Sequence, residues 1–434
     1  MTTDLPAGLS RRTMLKGAAA GFAGIGAVPL LAACTGASTG GSTSGGDGKG
    51  GKATFGSSAS DEKPKAGIAA MTDGYNKESG STVTINTVSH NDFQENINNY
   101  LSGSPDDAFT WFAGYRMRFY AAKGLVAPID DVWESFGTNF PDAFAKASTA
   151  DDGKKYFVPN YNYPWAVFYK KSVWAAKGYE EPATFDDLVA LCKQMKADGI
   201  TPIAFGDSDG WPAMGTFDYL NLRTNGYDFH VDLMAHKESW DSDKVKAVFD
   251  NWNQIRPFYD TGALGRTWQD AALTVVQEKA GMYVLGSFVS QQFDNADDYD
   301  FFLFPEIDSE WGQDSIEAPI DGFMLSKKGG SNDTAKALLK YLGTGAAEDL
   351  YQAKDPSNVA ANAQASTSAY SALQKKSAKV ISEAKSITQF LDRDSLPAFA
   401  SNVMIPALQS FYTTGEFDTT GVESQAKQLF ADDK

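Results

Sequence analysis

The sequence predicts an α/β fold in which mostly parallel sheets are flanked by helices. Three observations favour this fold class. Short runs of strand-forming residues alternate with stretches of helical periodicity, which is typical of strand–helix–strand units. The alternation begins near residue 52 and starts again near residue 165, so two such units are expected. The chain of 434 residues, of which 42% are hydrophobic, is long enough for two or three domains.

The strand predictions rest on short apolar or alternating runs. They cover residues 52–57, 82–88, 108–112, 165–169, 203–205, 281–285, 300–304 and 319–325. Helical periodicity extends over residues up to about 79, 91–101, 116–123, 184–199 and 245–259, and from 332 to the end with breaks near 343, 355 and 397.

Two of these helices have predicted N-caps. Asn91 with Gln94, and Thr184 with Asp187, have the spacing of a capping box, in which each side chain bonds the other residue's backbone N–H. Gly199 is expected to end the second helix, because glycine tolerates the left-handed conformation that follows many helices.

Residues 1–33 have the pattern of a twin-arginine export signal that ends in a lipoprotein cleavage site. Arg11 and Arg12 precede a Gly- and Ala-rich apolar stretch that is too short to span a membrane. Residues 31–34 resemble a bacterial lipobox, which predicts a lipid-modified Cys34; a plain cleavage site with an incidental cysteine is the alternative. We therefore expect a lipid-anchored protein on the outer face of the cytoplasmic membrane.

Residues 34–51 are predicted to be the lipidated cysteine and a flexible Gly/Ser linker. Because Cys34 carries lipid, Cys192 has no partner for a disulfide, and its helical neighbours predict that it is buried in a core. The formal net charge of −17 disfavours nucleic acid as a partner.

The motifs of common enzyme classes are not found. His90, His230 and His236 lack the spacing of a metal site, and neither a phosphate-binding loop nor a nucleophile elbow is present. Acidic pairs such as residues 186–187 fall at predicted helix starts, where carboxylates interact favourably with the helix dipole. We therefore predict no metal, no cofactor and no catalytic residue.

Aromatic and polar side chains instead occur together where several predicted strands end. In open α/β sheets, this edge is where ligands bind. Aromatic rings cover the apolar faces of a pyranose, and charged or amide groups bind its hydroxyls. Trp211 lies in a Gly-flanked loop and is the best candidate platform, whereas the helical phase of Trp252 predicts a core residue. Trp111 could bind the ligand or pack in the core. Arg116 could bind hydroxyl groups or form an ion pair with a surface acid.

Five further segments follow one another in a recognisable order. They are residues 107–111, 124–130, 155–170, 178–204 and 277–287. In sequence and spacing they resemble the sugar-binding proteins of ABC importers, the large family that includes maltose-binding protein. Phe288 stands where that family has a tryptophan.

The resemblance implies a two-lobed periplasmic-binding-protein-like fold joined by hinge crossovers. Lobe one is expected to hold residues 52–160 and 281–322, and lobe two residues 161–280 and 323–434. The sugar would lie between the lobes, and the closed form would deliver it to a membrane permease whose ATPase is a separate chain. The protein would then be a monomer that hydrolyses nothing.

The resemblance also carries over a set of ligand contacts. These are His90, Asp92, Trp111, Tyr115, Arg116, Trp165, Asp207, Trp211, Trp268, Ser287, Asp321 and Asn362. A receptor for a peptide or an organic acid, or a secreted glycosidase, remain alternative functions. The many aromatic and acidic residues favour a neutral sugar.

Overall fold

The computed structural model describes residues 50–432, so the predicted signal peptide, Cys34 and nearly all of the 34–51 linker lie outside the described residues. The strands, β1 to β13 in chain order, are Lys52–Ser57, Thr82–Thr87, Ala108–Phe112, Val126–Ala127, Val158–Asn162, Trp165–Lys170, Thr201–Ala204, Ala280–Gly286, Tyr299–Phe302, Ser315–Glu317, Ile320–Ser326, Val359–Ala360 and Ser386–Thr388.

The α-helices, α1 to α18 in chain order, are Glu62–Ser79, His90–Glu95, Ile97–Ser102, Tyr115–Ala122, Asp130–Trp133, Asp142–Ala147, Lys171–Lys177, Phe185–Ala197, Pro212–Met234, Asp243–Ile255, Trp268–Val276, Asp333–Leu342, Gly345–Gln352, Ala372–Glu383, Leu391–Asp394, Pro397–Phe399, Ile405–Thr414 and Thr419–Asp432. None of the helices in the described part of the chain is long and apolar enough to cross a membrane.

The larger sheet has seven strands in the order β12-β5-β11-β3-β1-β2, with β4 paired to β11. Strand β1 runs parallel to both β2 and β3, whereas β11 runs antiparallel to β3, β4 and β5. Its strands and the helices packed on them form what we call the first core, built from buried apolar residues of 53–158 and 320–361.

The smaller sheet has four strands in the order β7-β8-β6-β9. Strands β7 and β8 are parallel, and β6 is antiparallel to both of its neighbours. Around it lies the second core, built from buried apolar residues of 163–304 and 373–426. Cys192 and Trp252 are both buried there, as predicted, and burial raises the pKa of the Cys192 thiol to about 12.

The prediction of mostly parallel sheets is wrong, because both sheets are mixed. Strands β1 and β2, for example, form a parallel pair and are joined by helix α1. Strands β5, β11 and β12 lie where the chain passes from one core to the other, and each enters the sheet in a direction set by that passage rather than by a flanking helix.

The sheet pairing also differs from the expected lobe division. Nearly all of strand β8 falls within residues 281–322, which are expected in lobe one, but the strand pairs with β6 and β7 in the smaller sheet. Conversely, buried apolar residues of 323–361 belong to the first core rather than to lobe two. Both observed placements arise from contacts between residues far apart in the chain, which local sequence patterns do not reveal.

Within the described residues the chain passes between the cores in three places. These passages lie between residues 158 and 163, between 304 and 320, and between 361 and 373. Strand β10 lies in the second passage and forms a parallel two-stranded ladder with β13, which follows the third passage. The residues that follow this ladder are therefore held close to both cores.

Local capping explains several helix starts. Thr184 and Asp187 form the predicted capping box of α8. The predicted Asn91 cap is wrong, because Ser89 accepts the Asp92 N–H and starts α2 two residues earlier. The sequence patterns also missed α9, which begins with Pro212 in its first turn and is kinked at Gly226, where φ is 80°. A Cβ at Gly226 would lie 2.6 Å from the ring of Trp311.

Candidate functional site

A cavity of about 240 Å³ lies between the two cores and is lined by residues of both. Its first-core side comes from the ends of β1, β3, β5 and β11 and from α1, α2 and α13, and its second-core side from β6, α11, α15 and the loop before α9. Strand ends and helix starts therefore converge on one space, as in α/β proteins that bind ligands at the edges of their sheets.

One side of the cavity is formed by aromatic side chains of the second core. We call this set the aromatic wall, and it consists of Trp165, Trp211, Trp268, Phe288 and Phe390. Trp165 stacks on Phe390 with ring centroids 5.1 Å apart. Trp211 meets Trp165 edge-on at 6.4 Å, and Trp268 meets Phe288 edge-on at 5.1 Å. These contacts hold the rings at fixed angles around the cavity.

A second set of lining residues carries ionisable side chains. We call Asp321, Asp392 and Arg393 the charged wall. Arg393 Nη1 donates to Asp321 Oδ1 at 2.5 Å, and its guanidinium lies 3.9 Å from the centroid of the Phe112 ring. Asp392 Oδ2 is 3.6 Å from Nη2 of Arg116. The charges are thus paired within the protein, which is what allows them to be buried.

His90 stands between the two walls and is neutral at physiological pH. Its pKa is lowered to about 4, mainly by burial and in addition by the positive charges of Arg393 and Arg116. Its Nε2 is 2.6 Å from Gln94 Nε2, and Gln94 Oε1 accepts a hydrogen bond from Arg116 Nη1 at 2.7 Å. A neutral imidazole can both donate and accept hydrogen bonds, which suits hydroxyl groups.

Polar contacts join the two cores at the rim of the cavity. Gln269 Nε2 donates to Asp61 Oδ1 at 3.3 Å, and Lys63 Nζ donates to the carbonyl of Gln291 at 3.0 Å. Because Asp61 and Lys63 belong to the first core's side and their partners to the second, the structure has its two halves in contact around the cavity. Residues 50–432 contain no group of three or more His, Cys, Asp or Glu side chains arranged for a metal ion.

A profile of the bacterial extracellular solute-binding proteins matches residues 58–349 of the chain. The chain belongs to this family. The matched region includes most strands of both sheets and most of the residues that line the cavity.

Two curated relatives are similar to parts of this solute-binding protein. A probable sugar-binding periplasmic protein of Mesorhizobium japonicum is 31% identical over 188 residues, which are 42% of this chain and 44% of the relative. An uncharacterized ABC transporter extracellular-binding protein of Pyrococcus horikoshii is 27% identical over 260 residues, 58% of this chain and 57% of the relative. The chain thus spans about half the length of the curated relatives that it matches.

A solved structure matches much more of the chain. The bacterial solute receptor AcbH, described as having an exclusive substrate preference for β-D-galactopyranose, superposes with a TM-score of 0.86 at 46% sequence identity. The match covers 88% of this solute-binding protein and 100% of that receptor. The two-lobed architecture implied by the sequence is therefore confirmed.

The cavity brings together half of the ligand contacts expected from the sequence. The expected residues that line it are His90, Trp111, Trp165, Trp211, Trp268 and Asp321. Trp111 is 2% exposed and packs among other rings of the first core, while Trp211 is more accessible. Phe288, which stands where the family has a tryptophan, also lines the cavity.

Three other expected contacts lie near the cavity without lining it. Asp92 is exposed and accepts a hydrogen bond from the Ser89 hydroxyl at the start of α2. Tyr115 lies on α4 beside Arg118, whose guanidinium is 5.9 Å from the centroid of its ring. Arg116 acts one step away from the cavity, through its contacts with Gln94 and Asp392.

The side chains of the remaining three expected contacts form hydrogen bonds with backbone groups instead. Asp207 is fully buried, and its Oδ1 accepts the Ala213 N–H at 2.8 Å. The Ser287 hydroxyl donates to the Ser357 carbonyl at 2.5 Å, and Asn362 Nδ2 donates to the Gly343 carbonyl at 2.8 Å. Each side chain fixes a turn close to the lobe boundary.

Sequence reasoning missed much of the first-core side and most of the charged wall. Cavity-lining residues that were not expected include Asp61, Gln94, Asn160, Tyr161, Tyr163, Asp209, Tyr351, Phe390, Asp392 and Arg393. The run of tyrosine and asparagine at 160–163 carried the same aromatic and polar signal as the strand ends. Nothing local marked 390–393, because these residues follow a three-residue strand after a long helical stretch.

Proposed function

We propose that this solute-binding protein captures one neutral sugar ring between its lobes and delivers it unaltered to the permease of an ABC importer. The observation that carries the proposal is a cavity between the two cores that is lined by both the aromatic wall and the charged wall. A pyranose has two apolar faces and a rim of hydroxyls, so it complements both walls at once.

The charge balance favours a neutral ligand over a peptide or an organic acid. A carboxylate ligand needs a cation without an internal partner, but Arg393 is already hydrogen-bonded to Asp321. His90 contributes no charge either. A sugar hydroxyl can instead donate to the carboxylates and accept from the guanidinium while leaving the ion pairs in place.

The size of the cavity and the similarity to AcbH narrow the choice of ligand further. A cavity of about 240 Å³ is small even for a ligand pocket and suits one ring rather than a long chain. The 46% identity to AcbH makes β-D-galactopyranose the first sugar to test. Closure of the lobes around a sugar involves no chemical step, so we expect the protein to bind the sugar without converting it. We also expect the protein to be a monomer.

The cellular setting is part of the same proposal. Residues 1–33 would direct export, Cys34 would carry the lipid, and the linker would let the folded body reach its permease. The permease and its ATPase would be separate chains. We further propose that lobe one comprises residues 52–162 and 320–361 and lobe two 163–304 and 373–426, which is the division supported by the cores.

Calorimetric titration of the mature protein with D-galactose and a panel of mono- and oligosaccharides tests the proposal. We expect one site per chain, tight binding of one monosaccharide and no new product in the recovered ligand. Thermal melts should rise with ligand, since a ligand at a hundred times its Kd stabilises by about 2.7 kcal/mol. Binding of a peptide or an organic acid with no response to any sugar would contradict the proposal.

A further inference from the structure

The short helix α15 carries two of the three charged-wall residues, Asp392 and Arg393. One helical turn has too few internal hydrogen bonds to fix its own position, so its neighbours must do so. Its closest packing partners include α9, a long helix of the second core. The position of α15 on α9 therefore decides where the two charged side chains meet a ligand.

A single side chain of α9 holds the first residue of α15. Asp218 Oδ2 accepts the Leu391 N–H at 2.8 Å, and the Asp218 side chain is fully buried outside the cavity. On the other side of the same turn, Ser395 Oγ donates to the Met234 carbonyl at 3.0 Å. The turn is thus attached to α9 at both of its ends.

Asp218 is costly to keep in a core. Its Oδ1 has no hydrogen-bond partner among the described residues, and His230 Nε2, 4.0 Å away, has none either. Burial raises its pKa well above the usual range, and the nearby carboxyl groups of Asp394, Asp392 and Glu317 also disfavour a charge on it. A hydrophobic residue of similar size would pack there without this cost.

We propose that Asp218 is a positioning residue for ligand binding, which holds α15 by accepting the Leu391 N–H and so presents Asp392 and Arg393 to the ligand. The inference rests on the proposed function, because it concerns the affinity of the same cavity for its sugar. It predicts that the affinity for the sugar depends more on a hydrogen-bond acceptor at residue 218 than on a negative charge there.

The test compares Asp218→Leu with Asp218→Asn. Leucine removes the acceptor, whereas the asparagine carbonyl can still accept the Leu391 N–H. We expect Asp218→Leu to raise the Kd for the sugar at least tenfold and Asp218→Asn to raise it less than threefold. Val248→Ala, a buried change on α10 far from α15 in the chain, is the control for a general loss of stability.

Hydrogen exchange of residues 390–395 in the ligand-free proteins gives a readout that does not depend on any sugar. Exchange should accelerate in Asp218→Leu and stay close to the wild-type rate in Asp218→Asn and Val248→Ala. If Asp218→Leu does not fold, Asp218→Ser replaces it, because the shorter hydroxyl does not reach the Leu391 N–H.

The possible failures are distinguishable. Wild-type protein that binds no sugar contradicts the proposed function, and the positioning role is then decided by hydrogen exchange alone. Unchanged exchange over 390–395 in the variant without the acceptor overturns the positioning role. So does a Kd within threefold of the wild-type value, or an equal loss of affinity in Val248→Ala.

Discussion

The two walls of the cavity are built in different ways. The aromatic wall comes from one lobe, and most of its rings stand at the first residues of a strand or helix or just after a strand, as Trp165, Trp268 and Phe288 do. The charged wall is assembled from distant parts of the chain. Asp321 enters with β11, whereas Asp392 and Arg393 follow β13, which lies beside β10.

This difference has an energetic consequence. The loss of one ring of the aromatic wall removes one contact with a ligand and loosens the packing of its neighbours, but it leaves no buried charge without a partner. The ionised groups depend on one another, because removal of Arg393 leaves Asp321 without its ion-pair partner and leaves Asp392 with Arg116 alone. We therefore expect single substitutions in the charged wall to cost more affinity than those in the aromatic wall.

Arg393→Ala should have the largest effect. It removes the donor to the ligand and the partner of Asp321, so we expect at least a hundredfold higher Kd for the sugar, roughly 2.8 kcal/mol. The protein should also lose about 3–5 kcal/mol of stability, the usual cost of breaking a buried ion pair. Calorimetry and denaturant unfolding measure the two effects.

Arg393→Lys is the matched variant, since it keeps the positive charge but loses the forked geometry of the guanidinium. It should recover most of the stability and only part of the affinity. If Arg393→Ala folds and binds the sugar with wild-type affinity, Arg393 does not contact the ligand, and the proposed difference between the two walls is wrong.

Trp211→Ala should have a smaller effect on binding. We expect the Kd to rise at least tenfold, about 1.4 kcal/mol, because one platform for a sugar face is lost. Trp252→Ala is the control: it should cost about 3–5 kcal/mol of stability and leave the Kd within twofold, as Trp252 is a buried residue of the second core. Equal affinities of Trp211→Ala and wild type would exclude Trp211 from the site.

Asp207→Asn should change the stability of the protein but not its affinity for the sugar. Burial raises the pKa of Asp207 to about 7, so the folded state holds its proton more tightly than the unfolded state does. The contribution of this group to stability therefore falls as the pH rises from about 4 to 7 and stays low above that range. Above pH 7 the variant should be more stable than wild type by about 1 kcal/mol.

Unfolding by denaturant at pH 5 and pH 8 measures this difference, and the advantage of Asp207→Asn should be larger at pH 8. Sugar affinity should not change, since Asp207 does not line the cavity. A stability difference that is the same at both pH values would contradict the raised pKa.

Asp92→Ala should have the smallest effect. Asp92 is exposed and bonded to Ser89 at the start of α2, outside the cavity. We expect less than a twofold change in Kd by calorimetry. A tenfold loss would mean that α2 moves on binding and brings this carboxylate to the ligand.

The sequence predicted the local features of the fold well. The bounds of β1 and β3, the capping box of α8 and the burial of Trp252 all depend on residues close together in the chain. Strand direction was not predictable, because β5 and β11 take theirs from the passage between lobes.

The same distinction applies to the site. Trp165 and Trp211 stand beside the ends of predicted strands, so a search for aromatic residues at such ends finds them, whereas Trp268 was expected from the family resemblance alone. Arg393 acquires its place only through β13 pairing with β10 and through the attachment of α15 to α9. Both are long-range contacts that leave no local pattern in the sequence.

A crystal structure of the protein with the sugar that calorimetry identifies tests the central claim most directly. We expect one sugar ring between the lobes, with an apolar face against Trp211 or Trp268 and hydroxyls within hydrogen-bond distance of Asp321, Asp392 or Arg393. A sugar bound elsewhere, or held in the cavity without contact to either wall, would contradict the account.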